Sequence, residues 1–131
     1  MKTKTNLSLR PLEDALETLR KATERPPASE LERDGVIQRF EYTFEMAWKS
    51  IRAVLGALGR SEVSGSPRPL LRDAHQEGWI GDLNEWFRFL DARNESTHSY
   101  HQLTAAEVHQ TAIRFPKAAA ELLSKLKDAL S

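Results

Sequence analysis

The sequence predicts an all-α protein, most simply a helical bundle of four longer helices and a short one. Three observations carry that expectation. Apolar residues recur at three- and four-residue steps through most of the 131-residue chain, with no strand-like alternation. Ser, Asp and Thr stand where helices would start, with Glu three residues later. Pro26-Pro27 and Ser66-Pro67 punctuate the runs.

The first helix puts Leu9, Leu12, Leu16 and Leu19 on one face, with Ala15 and Ala22 beside them. Pro11 belongs in a first turn, so this helix begins near residue 10. Pro26-Pro27 ends it, because proline disfavours the helical conformation of the residue before it. Ser29 and Glu32 then read as a capping box. Ile37, Phe40, Phe44, Ala47, Trp48, Ile51, Leu55 and Leu58 follow at helical steps, predicting one long helix over about 30–59 with Gly59 as its cap. Ser66-Pro67 opens a short helix ending at Gly78, and Asp82 with Glu85 starts another, whose apolar face is Leu83, Trp86, Phe87 and Leu90. Thr104 and Glu107 cap a last helix over about 105–129, which Pro116 should kink. Aromatics gather in 40–48 and 79–89, and these two clusters are expected to supply core or subunit interface.

A chain of this length forms a single domain, residues 1–131, and hides roughly two-thirds of its extended surface. Hydrophobic residues are 40% and charged residues 29%, a globular composition. The formal net charge is +0, which removes the simplest nucleic-acid signature, a strongly basic domain. The zero is an average: residues 13–45 hold nine acids against five bases, a balance of −4. The remainder is mildly basic, so local phosphate binding stays open. Cysteine is absent, excluding disulfides, thiolate metal sites and thiol nucleophiles. No apolar run reaches membrane length, and no apolar segment follows the basic start, so no membrane contact and a cytoplasmic location are expected.

There is no Gly-rich phosphate loop, no nucleophile elbow and no zinc pair of the His-Glu-x-x-His type. His98 and His101 lack a convincing third ligand, so neither a metal nor a cofactor is expected. Glu41, Glu45 and Lys49 step by four along the long helix, flanked by Gln38, Arg39 and Tyr42. The first pair repels and the second attracts. Either this face is solvated, or its acids meet a basic partner surface or a tertiary arginine.

The most informative segment is Arg93-Asn94-Glu95-Ser96-Thr97-His98-Ser99-Tyr100. Chance supplies an Arg-x4-His pair about 0.4 times in such a chain, but adding the Tyr lowers this to about 0.006. Arginine grips phosphate as a planar fork and stabilises charge on a pentacovalent phosphorus. Histidine moves protons near neutral pH. Together they suffice for metal-free RNA cleavage by the 2′-hydroxyl. Alternatively, Arg93 and His98 cap helix ends or pair with Asp91 and Glu95. Five residues of ideal helix rotate by about 140°, so the two converge only if the helix ends between them or two copies meet.

The stretch from Asp34 to Lys49 resembles the second helix of the nucleotidyltransferase substrate-binding proteins, a branch of the HEPN superfamily. Ser66-Pro67-Arg68 and Arg93-Asn94…His98-Ser99-Tyr100 resemble the same family in order and spacing, and the likeness runs over about residues 7–125. The resemblance implies a HEPN-like up-and-down four-helix bundle with an extra short helix, assembled as a homodimer. It implies a neighbouring minimal nucleotidyltransferase as partner and antitoxin, RNA as substrate, and a HepT-like ribonuclease toxin. Arg93 and His98 would then be catalytic, with Asn94 supporting and Tyr100 accepting AMP. An older view of the family implies instead a non-catalytic subunit that presents substrate to the nucleotidyltransferase.

Overall fold

The computed structural model describes residues 7–97 and 103–131. Among them six α-helices follow one another: α1 (Arg10–Ala22), α2 (Glu30–Ala57), α3 (Pro67–Gln76), α4 (Leu83–Thr97), α5 (Ala105–Ala112) and α6 (Phe115–Leu130). The long α2 is the central post, packing against all the others. α1, α2, α4 and the α5–α6 run form the expected up-and-down four-helix bundle, and α3 is the extra short helix, laid against α2 and α4.

Local chemistry sets the helix ends. Ser29 Oγ accepts from the Glu32 N–H at 3.1 Å. The Glu32 carboxylate reaches the Ala28 N–H at 3.1 Å, one residue further back than in a reciprocal box. At Thr104 and Glu107 the box is complete. Asp82 Oδ1 accepts from the Glu85 N–H at 3.0 Å. Both α2 and α3 end in a glycine at positive φ, +80° at Gly59 and +82° at Gly78. After each glycine the chain turns back: Arg60 N–H bonds the Leu55 carbonyl and Trp79 N–H the Ala74 carbonyl. That closure needs a left-handed residue, which glycine supplies without a Cβ clash. Arg60 then grips Glu77 with two bonds of 2.8 and 3.2 Å, pinning the end of α2 to the end of α3.

One expectation is corrected at Pro116. The last helix is two: α5 stops at Ala112, and α6 restarts at Phe115 with Pro116 in its first turn. The proline ring clashes with the carbonyl four residues earlier, here that of Ala112, and its nitrogen donates no bond. Arg114 Nε reaches Glu85 Oε1 at 3.1 Å and ties the break to α4.

Phe115, the first residue of α6, lies in the middle of the core. Its ring lies 5.4, 5.7, 5.2 and 4.9 Å from those of Phe40, Phe44, Trp86 and Phe89, mostly edge-to-face. Both aromatic clusters therefore do supply the core, through Phe40, Phe44, Trp48, Trp79, Trp86 and Phe89. Tyr42 is the exception and stands exposed. A hydroxyl joins this interior: Thr43 Oγ1 lies 2.7 Å from the Arg39 carbonyl and 3.1 Å from the Ala15 carbonyl, linking α2 to α1.

Candidate functional site

α4 buries Trp86, Phe89 and Leu90 against the core. Arg93 follows Phe89 and Leu90 by one turn, so it leaves α4 at the far end of that buried face. There it meets α2. Arg93 Nη2 donates to Glu45 Oε1, an ion pair across 48 residues of sequence. The two side chains are only 26% and 21% exposed, so solvent screens this pair less than any on the open surface. Glu45 Oε2 sits 3.6 Å from Lys49 Nζ, so each carboxylate oxygen faces one cation. Arg93 Nη1 also donates to Asn94 Oδ1 at 3.3 Å. The guanidinium is thus oriented from α2 and from its own helix.

These contacts bear on two readings left open by the sequence. Glu45 is not on a solvated face; it meets a tertiary arginine. Asp91 is not the partner of Arg93, because it pairs with Arg68 of α3 at 3.4 Å. Gln38, Arg39 and Tyr42 line a groove of about 880 Å³ between α1 and α2. His98, Tyr100 and His101 lie outside the described residues.

The other two histidines serve the fold. His75 Nδ1 lies 2.8 Å from the Ile80 carbonyl at the α3–α4 turn. His109 of α5 is buried, and its pKa is pushed below the ordinary imidazole value by desolvation and, second, by the Arg33 charge. Among the described residues no three His, Asp or Glu side chains gather as metal ligands, and no helix is long and apolar enough to cross a membrane.

Sequence reasoning on single elements missed the Glu45–Arg93 pair itself. A signal was present: Glu41 and Glu45 repel at helical spacing, which costs α2 stability unless a cation from elsewhere compensates.

A helical bundle whose fourth helix carries a carboxylate-paired arginine one turn before its end is the class of protein that fold and site define. Residues 7–128 match the family described as nucleotidyltransferase substrate binding protein like, and the chain belongs to that family. It is 30% identical over 96 residues to a Haemophilus influenzae protein named probable ribonuclease HepT, a match covering 71% of this chain and 66% of that relative. The chain thus spans just under two-thirds of that relative's length. Among solved structures, a Thermus thermophilus protein shares 30% identity at a TM-score of 0.76, covering 88% of this chain and 98% of the other. A Haemophilus influenzae protein, whose structure is described as the fold of a substrate binding domain of a nucleotidyltransferase, shares 25% at a TM-score of 0.75, covering 92% and 99%.

Proposed function

We propose that this chain is a metal-independent endoribonuclease, the HEPN toxin of a two-gene module whose antitoxin is a minimal nucleotidyltransferase. The observation that carries the reading is the Glu45–Arg93 pair. It fixes a guanidinium one turn before the end of α4, five residues before His98. The relative named probable ribonuclease HepT supports it. In the proposed reaction the ribose 2′-hydroxyl attacks the adjacent phosphorus and the 5′-oxygen leaves. His98 moves the proton as general acid or base, and Arg93 stabilises the charge on the pentacovalent phosphorus. Asn94 supports the orientation of Arg93. A homodimer in the cytoplasm brings two Arg93/His98 sets to one cleft.

Silencing follows when the partner transfers AMP to Tyr100: the phenol oxygen attacks the α-phosphorus of ATP, and pyrophosphate leaves. The new phosphodiester charge competes for Arg93 and adds bulk. The test is cleavage of RNA by purified protein in the presence of a chelator. Wild type should cleave, and both His98→Ala and Arg93→Ala should not. Wild-type protein that leaves RNA intact, or a His98→Ala variant as active as wild type, defeats the reading.

A second reading is a non-catalytic subunit that presents a substrate to the nucleotidyltransferase. The family description and the Haemophilus influenzae structure favour it. It requires nucleotide transfer to a third molecule. If Tyr100 is the sole acceptor, that reading fails.

A further inference from the structure

α3 lays two arginines over one aromatic ring. The guanidinium carbons of Arg68 and Arg72 lie 4.6 and 5.5 Å from the centre of Phe87 on α4. Both arginines are exposed, and Phe87 is half-buried beneath them. Arg68 also pairs with Asp91 at 3.4 Å, whereas Arg72 makes no ion pair among the described residues. Like charges one turn apart disfavour each other. The negative face of the ring offsets that repulsion and holds both guanidiniums close together. Each guanidinium carries five N–H donors, more than the ring contact uses, and binds a phosphate as a fork.

The platform belongs to the same neighbourhood as Arg93. Phe87, Asp91 and Asn94 follow steps of four and three, so they share one stripe of α4. Along the helix axis Phe87 is roughly 9 Å from Arg93 and around it about 120° away, so the two stand on adjoining faces of α4. Asn94, at the end of that stripe, hydrogen-bonds Arg93.

We infer that Arg68 and Arg72, stacked on Phe87, bind a phosphate of single-stranded RNA that flanks the phosphate held at Arg93. This rests on the ribonuclease reading and gives it a second point of contact. A polymer with repeated phosphates spans both positions; a lone phosphate fills one. The chain has a formal net charge of +0, so affinity for a strand depends on local clusters such as this one. Guanidinium planes also accept an unstacked base, as single-stranded RNA presents.

The test is equilibrium binding of a fluorescent single-stranded RNA, 2′-O-methylated to prevent cleavage, across a salt series. Arg72→Ala should weaken binding about fivefold and lower the salt slope by about 0.7, the loss of one phosphate contact. The Arg68→Ala/Arg72→Ala double variant should weaken it further. Asp91→Asn removes the one carboxylate at the platform and should tighten binding about twofold, an effect a structural role does not produce. Lys125→Ala and Glu121→Gln on α6 repeat the same charge changes away from the platform and should leave affinity unaltered. Equal affinity for wild type, Arg72→Ala and Lys125→Ala overturns the platform even if RNA is cleaved. Weakening by Arg72→Ala in a protein that cleaves nothing sustains the platform and defeats the cleavage reading. Wild-type protein that binds no RNA overturns both.

Discussion

Glu45 of α2 holds Arg93 of α4 in an ion pair that is three-quarters withdrawn from solvent. The arginine one turn before the end of the fourth helix is therefore positioned by the central post of the bundle. Helix α2 touches every other helix, so the orientation of Arg93 is coupled to the whole core. An arginine capping its own helix end would have no such coupling. In the proposed ribonuclease Glu45 is then a positioning residue: it holds the Arg93 guanidinium from α2.

Replacing Glu45 by Gln keeps the shape and one acceptor but removes the charge. RNA cleavage should fall about 10- to 100-fold, because a displaced guanidinium no longer matches the developing phosphorane. Stability should fall by only about 1 kcal/mol, since the pair is partly solvated. Cleavage rates and urea midpoints on the same preparations check both. Unchanged cleavage in Glu45→Gln would show that Arg93 does not need its partner.

Phe115 is the hub of the aromatic core, fully buried among Phe40, Phe44, Trp86 and Phe89. Phe115→Ala should cost about 3–5 kcal/mol, through lost ring burial and the cavity left behind. Phe115→Leu should cost less, about 1–2 kcal/mol, because most of the volume stays filled. Urea denaturation reads both values. A Phe115→Ala cost below about 1 kcal/mol would mean that the core collapses around the gap.

What the sequence made legible is local in origin. Ser29, Asp82 and Thr104 announce their helices through bonds to residues three positions on, and Pro67 opens its helix by geometry fixed within one residue. Gly59 and Gly78 mark ends for the same reason. That Glu45 meets a tertiary arginine was one of the alternatives the sequence offered, but which arginine was not legible, because the mutual rotation of two helices is decided only by core packing. Phe115 was legible as an apolar residue of the last helix, in step with Ala112 and Ala119; its place among Phe40, Phe44, Trp86 and Phe89 was not, because that depends on how three helices pack. His98 and Tyr100 were singled out by motif and resemblance, and they lie outside the described residues.

Two glycine substitutions should change stability in opposite directions. A Cβ added at Gly56, inside α2, meets nothing within 4 Å. Gly56→Ala should stabilise the protein by about 0.5–1 kcal/mol, since alanine loses less backbone freedom on folding. Gly78 closes α3 at φ +82°, where any Cβ is strained. Gly78→Ala should destabilise by about 1 kcal/mol. Thermal unfolding of the two variants side by side tests the contrast, and a shift of the same sign in both would contradict it.

His109 should make the fold sensitive to mild acid. Its pKa in the folded chain is lowered by burial and by Arg33. The sign follows from comparing the two states. An unfolded imidazole takes up a proton below about pH 6.5, whereas the folded one resists until the pH is lower. Between those values the unfolded chain binds more protons, so stability is complete above about pH 6.5 and is lost as pH falls below it. The slope from this one group cannot exceed about 1.4 kcal/mol per pH unit. Urea titrations at pH 7.5 and 5.5 should show wild type losing more stability than His109→Gln, which cannot titrate there. The variant is expected to be less stable at pH 7.5 through imperfect packing, so the comparison is of the pH-dependent change within each protein. If both lose the same amount, the acid sensitivity belongs to other groups.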